Sequence, residues 1–182
     1  MSKNNGGNGR TWITSDLHFS HAGVTKFLME DGVTKLRPWD NIEDMDEELI
    51  RNFNDHVKPG DKCYFLGDMV INRRGLPQIG RLNGDKILIK GNHDIFRLDE
   101  YLKYFRDIRA YQIQNNIVMS HIPIHSESKG RFRANIHGHT HANKVKDQYG
   151  NIDPWYICVC VEQTEFKPVL VSDLYDRINN GI

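Results

Sequence analysis

The chain has 182 residues, 24 Lys plus Arg balanced by 24 Asp plus Glu, and 38% hydrophobic residues. That length suits one domain, since a chain near 150 residues buries roughly 68–70% of its unfolded surface. Zero formal net charge excludes any global electrostatic case for a nucleic-acid or membrane surface, and no run approaches the ~20 apolar residues of a membrane span.

Cys63, Cys158 and Cys160 are too few for a disulfide framework. Cys158 and Cys160 alternate within an apolar run and read as small buried hydrophobes rather than a metal pair. A reducing, cytoplasmic location is the expectation. Residues 1–10, rich in Asn and Gly, contain no signal-peptide core and read as a flexible tail before a single domain over 11–182.

In chain order, residues 11–15 are β-prone and turn abruptly polar at Asp16-Leu17-His18, with a short helix expected after His21. Asp40 is a plausible cap for a helix over 42–57, where Ile42, Met45, Leu49, Ile50 and Phe53 recur at helical spacing. Pro59-Gly60 ends it. Residues 62–66 form an apolar strand running into Gly67-Asp68. A helical segment over 76–82 leads to a strand over 86–90 and then Gly91-Asn92-His93-Asp94. Residues 98–105 look helical. Segments 109–114 and 117–120 flank Asn115-Asn116, a tight hairpin turn. Strands are expected over 134–136, 156–161 and 168–171, and a last helix over 174–178. The order predicts an α/β fold, with an N-terminal α/β sheet joined to a second, largely antiparallel sheet.

The chemistry lies in where the strands end. Five strand-like runs deliver Asp16 and His18, Asp68, Asn92 and His93, His121, and the 137–141 cluster. Loops at strand C-termini line the usual ligand crevice of an α/β sheet, so residues far apart in sequence can converge there. Singly, each motif also fits a cap, a turn or a packed histidine. Together they form a cluster of imidazole and oxygen ligands without cysteine. Such a set suits two divalent transition-metal ions, Mn²⁺ first, with Fe, Zn²⁺ or Ni²⁺ as alternatives, better than a structural zinc site.

Asp16-Leu17-His18, Gly67-Asp68, Gly91-Asn92-His93-Asp94, His121 and Gly138-His139-Thr140-His141 resemble, in order and spacing, the motif set of the calcineurin-like metallophosphoesterases. The resemblance spans about residues 11–172. It implies two packed mixed β-sheets flanked by helices, in four α-β-β-α layers, with a dinuclear site at one edge. By that resemblance Asp16, His18 and His141 hold one metal, Asn92, His121 and His139 the other, and Asp68 bridges both. His93 matches the general acid, with Asp94 orienting it. The implied reaction is hydrolysis of a phosphodiester or phosphomonoester by in-line attack of a metal-bridging hydroxide.

A diester such as a cyclic nucleotide or a nucleic-acid end is slightly favoured, because the short stretch between Asp94 and His121 leaves no room for a cap domain. The rival is a non-catalytic scaffold or protein-binding module on the same fold, against which the intact ligand set counts. His21, His125, Arg74, Arg131 and Arg133 are secondary candidates for substrate contact, since arginine suits bidentate phosphate binding. No obligatory protein partner is evident, and His137 is expected to orient the cluster or pack behind it.

Overall fold

β-Branched and aromatic residues in short runs, each broken by Gly, Asn or Asp, give nine strands and four α-helices among the described residues. The structure is a computed structural model and describes residues 9–181. The order is β1 (Thr11–Thr14), α1 (Ile42–His56), β2 (Lys62–Phe65), α2 (Leu76–Gly80), β3 (Asp85–Ile89), α3 (Leu98–Tyr101), β4 (Asp107–Arg109), β5 (Tyr111–Gln114), β6 (Ile117–Ser120), β7 (Ala134–His137), β8 (Tyr156–Cys158), β9 (Val169–Leu170) and α4 (Val171–Asn180).

Two sheets result. The first runs β4-β3-β2-β1-β9, parallel except for β9. The second runs β5-β6-β7-β8. The expected two packed mixed sheets with flanking helices are therefore present, but the second is not largely antiparallel. Only β5 and β6 pair antiparallel; β6-β7 and β7-β8 are parallel. Residues 121–133 and 138–155 are long enough to cross over, which a two-residue turn is not. Asn115 and Asn116 both take positive φ, the geometry that closes the β5–β6 hairpin.

Period-two alternation divides the core between two layers. Trp12, Cys63, Phe65 and Leu88 face Met45, Leu49 and Phe53 of α1. Ile13, Tyr64, Ile87 and Ile89 face Ile117, Met119 and Ile136 of the second sheet, with Val171 and Leu174 of α4 closing one edge. The first sheet is thus buried on both faces, which is why β2 and β3 read as continuous apolar runs.

Several local expectations are corrected. α1 is capped by Asn41, not Asp40: the Asn41 side chain accepts from the Asp44 backbone N–H at 2.8 Å. The helix expected after His21 is a single 3-10 turn, Val24–Lys26. The segment 98–105 is helical only to Tyr101. Residues 107–109 belong to the first sheet, separate from β5. The run 156–161 also splits, since β8 stops at Cys158 and Cys160 bridges to Ser15 beyond β1. Of the expected tail, residues 1–8 lie outside the described residues. Arg10 is anchored, its N–H donating to Asp61 Oδ1 at 2.8 Å and its carbonyl accepting from Lys62 N at 2.9 Å.

Candidate metal centre

The parallel register places the C-terminal ends of β1, β2 and β3 side by side, with Thr14 opposite Phe65 and Phe65 opposite Leu88. In the second sheet Ser120 lies opposite His137. The two edges then meet. The His139 N–H donates to Asp16 Oδ2 at 2.9 Å, and His121 Nδ1 lies 2.7 Å from the Leu66 carbonyl. All five expected ligand loops converge on this edge.

Two groups of ligand atoms assemble there. Asp16, His18 and His141 form one and Asp68, His121 and His139 the other, each with its atoms within 4.8 Å of one another. His18 and His141 stack at 5.2 Å between ring centroids, and His121 meets His139 edge-on at 5.1 Å. Asp68 lies between the groups. Its Oδ2 is 3.7 Å from His18 Nε2 and its Oδ1 is 3.4 Å from His121 Nε2.

The hydrogen bonds fit this donor set to cations. Asp16 Oδ2 accepts from the Ser15 hydroxyl, the Cys160 thiol at 3.2 Å and the His139 N–H. Among the described residues, fully buried Asp16 Oδ1 has no hydrogen-bond partner, and neither has either nitrogen of His18. A buried polar atom without a partner costs about 1–3 kcal/mol, so an inward-pointing set of them is the arrangement a cation would satisfy. His121 repeats the logic. With Nδ1 donating to the Leu66 carbonyl, its Nε2 lone pair faces Asn92 Oδ1 at 2.8 Å and Asp68 Oδ1. Three acceptors then point at one another, an arrangement that a proton or a metal ion relieves. The residues present therefore fit two divalent ions.

The electrostatics agree. Burial alone would raise the Asp16 carboxyl, yet the imidazoles of His18, His121 and His141 hold it well below the usual carboxylate range. Asp68 is likewise lowered: burial opposes the shift, and His121 with the His93 N–H outweighs it. Burial lowers His139, aided by His121. For His121, burial acts downward but the carboxylates of Asp68 and Asp16 raise it overall.

Backbone geometry is special here as well. Asp16, His18, Asp68, His139 and His141 all have left-handed φ, between 50° and 69°, a region L-residues with a Cβ seldom enter. Two glycines permit the loops to touch. A Cβ on Gly91 would lie 2.2 Å from Asp68 Oδ1, and one on Gly138 would lie 2.5 Å from Asp16 Oδ2.

The remaining expected residues fall as follows. His93 is half-buried, its ring edge-on to His18 at 5.6 Å, and its N–H donates to Asp68 Oδ1 at 2.8 Å. Asp94 was expected to orient the His93 ring, and no hydrogen bond joins the two side chains among the described residues. Its buried carboxylate instead accepts the N–H groups of Asp68, Met69 and Gly91, each at 2.9 Å. It staples the β2 loop to the β3 loop. His21 packs beside His18 and Phe27. Arg74 reaches the Ser20 carbonyl, and Arg131 lines a groove that includes His121. Exposed His125 accepts from the Glu127 N–H, and Arg133 donates to Asn179 in α4. His137 is buried behind the cluster with Nδ1 on the Gly138 carbonyl.

Three contributors were not singled out as site residues. Cys160 donates to Asp16 and so is more than apolar filling; burial pushes its thiol well up, keeping the proton on sulfur. Arg37 and Glu162 form a buried pair against the first group. Nothing in the sequence around Arg37, in the loop before α1, names Glu162 as its partner.

The calcineurin-like phosphoesterase family model matches residues 9–139. The chain belongs to this family. The match takes in Asp16, His18, Asp68, Asn92, His93, His121 and His139 and stops before His141. The chain is similar to an uncharacterized protein of Methanocaldococcus jannaschii, 32% identical, over 94% of this chain and 93% of that one. It is also similar to the gene 66 protein of Mycobacterium phage D29, 26% identical, over 94% of this chain and 98% of that one. Among solved structures, an Aquifex aeolicus protein of unknown function shares the fold, with a TM-score of 0.65 and 24% identity, covering 93% of this chain and 99% of its own. Among the described residues, no helix is long and apolar enough to cross a membrane.

Proposed function

We propose that this phosphoesterase-family chain is a dinuclear metal-dependent hydrolase of phosphate esters, with a preference for a phosphodiester. The observation that carries the reading is the pair of adjoining ligand groups, in the first of which Asp16 Oδ1 and both nitrogens of His18 are buried without a partner among the described residues. In this reading Asp16, His18 and His141 hold one ion, Asn92, His121 and His139 the other, and Asp68 touches both. Mn²⁺ is the favoured ion, because mixed imidazole, carboxylate and carboxamide ligands suit it. When bound, two such cations supply Lewis acidity toward phosphoryl oxygens and acidify water at neutral pH.

The chain's own residues do the rest. Asp68, held by the His93 N–H, fixes the separation between the two ligand groups. His93, half-buried at the rim, is placed to donate a proton to the departing alkoxide. The preference for a diester rests on two grooves that flank the centre. One, of about 460 Å³, joins His121 to Lys90, Tyr111, Arg131 and Phe132. The other, of about 490 Å³, joins His139 and His141 to Phe27, Leu28 and Met29. A diester has two organic arms to seat and a monoester one. The first groove combines cations with exposed aromatic surface, which suits a nucleotide arm. Three free cysteines fit a reducing cytoplasm.

The test is a panel of aryl monoesters, bis-aryl diesters and cyclic nucleotides assayed with Mn²⁺, Ni²⁺, Zn²⁺ and Mg²⁺. Asp68→Ala and Asn92→Ala should abolish turnover; undiminished turnover would refute the assignment. His93→Ala should slow esters with poor leaving groups by roughly 10²–10⁴-fold and activated aryl esters far less. Equal losses would remove its role as acid.

A further inference from the structure

Arg37 is fully buried, and so is the side chain of Glu162, from a segment far along the chain. Glu162 Oε1 accepts from Arg37 Nε at 2.8 Å, pairs with Arg37 Nη2 at 2.7 Å, and lies 2.9 Å from His141 Nδ1. Arg37 continues inward, donating from Nη1 to the Leu17 carbonyl at 2.9 Å and from Nη2 to the Asp16 carbonyl at 2.6 Å. One guanidinium thus ties the β1 ligand loop to the carboxylate that touches a ligand on the other sheet.

A buried ion pair is weak evidence for stability, because desolvation can cancel the attraction and apolar residues of similar size often do as well. The pair's position points to another use. A carboxylate facing Nδ1 can only accept, so it keeps the proton on Nδ1 and leaves Nε2 as a lone pair. His141 Nε2 is the atom directed at Asp16, 3.9 Å from Oδ1. The other ligand histidines lack this support. His121 is oriented by a backbone carbonyl, and neither nitrogen of His18 has a hydrogen-bond partner among the described residues. Gln163 fixes the same loop from behind, its Nε2 donating to the His141 carbonyl at 2.7 Å.

We propose that Glu162, presented by Arg37, is the positioning residue for His141: it sets the imidazole tautomer and so the affinity of the metal position shared with Asp16 and His18. This rests on the metal reading above. Two double variants isolate it, since both remove the buried charges and the Arg37 contacts equally. Arg37→Met/Glu162→Gln keeps an acceptor facing His141, whereas Arg37→Met/Glu162→Leu does not.

Zn²⁺ titration against a competing chelator should show two ions on the Gln pair with affinities near wild type. On the Leu pair, one ion should bind roughly 10–100-fold more weakly while the other is unchanged. Long-range ¹H–¹⁵N spectra of the Zn²⁺-loaded wild type should show the His141 proton on Nδ1. Equal binding by the two double variants, or a wild-type proton on Nε2, would overturn the proposal. If the Leu pair does not fold, the wild-type ring spectrum decides alone. A wild type that takes up no metal would overturn the functional reading as well, an outcome distinct from equal binding by the variants.

Discussion

Replacing Asp94 tests whether the centre is held by a staple or by an acid–base pair. The carboxylate is fully buried and accepts three backbone N–H groups, two of them on Oδ2. Burial pushes its carboxyl up, and the N–H donors act against that shift. Asp94→Ala would leave three buried donors unpaired. At about 1 kcal/mol or more each, with some relief from entering water, the loss is about 3–5 kcal/mol. For a chain of this size that is a fall of roughly 6–20 °C in melting temperature. Asp94→Asn keeps the volume and an oxygen on the Oδ2 side but turns an amide toward the Met69 N–H, for a loss of about 1–3 kcal/mol. Urea unfolding of the metal-free protein, compared at constant slope, gives both numbers. If both variants match wild-type stability, and only His93-dependent turnover suffers, the staple is refuted and a side-chain partnership with His93 is restored.

Two further outcomes follow from close approaches and charge. Gly91→Ala should displace Asp68 and reduce the uptake of both metals, and Gly138→Ala should displace Asp16 and weaken one; Gly130→Ala, whose Cβ would meet nothing within 4 Å, serves as the neutral control. Equilibrium dialysis with metal analysis reads this, and full occupancy in Gly138→Ala would refute it. Asp61 accepts from Arg10 N, Trp12 Nε1 and Lys58 N; burial acts to raise its carboxyl, but these donors hold it below the usual value. Its contribution is therefore present above the unfolded pKa of about 3.9 and lost as pH falls through the lower folded value. The stability gap between wild type and Asp61→Asn should close on acidification, and a gap constant from pH 6 to about pH 3 would contradict it.

The ligand loops were legible because their signal is local. Each is a short apolar run that ends in a turn-compatible residue carrying a donor atom, and parallel pairing brings such ends to one edge. Asn41 was missed by one position because Asp40 and Asn41 are both good caps, and only the hydrogen bond to Asp44 separates them. Strand direction in the second sheet was not legible either. Residues 117–120 and 134–137 are buried throughout, and such a run reports burial, not which way the neighbour runs. Arg37 and Glu162 were invisible for a different reason. Their meaning lies wholly in a tertiary contact, and no periodicity marks a residue in the loop before Pro38 as the partner of one just after β8. Asp94 was found by its motif, but its three backbone partners were not legible, since a motif fixes adjacency in sequence and not the direction of a carboxylate.

The left-handed backbone at Asp16, His18, Asp68, His139 and His141 sets durability against chemistry at the same positions. Such a conformation costs a residue with a Cβ about 1–2 kcal/mol, a cost glycine largely escapes. Glycine at any of these positions would relax the empty chain while deleting a donor atom. A library of this protein selected only for heat resistance, without metal in the medium, would be expected to drift toward glycine at its ligands and lose the centre first. Including the cation during selection reverses the incentive, because ligands that bind it then add to the stability of the folded state.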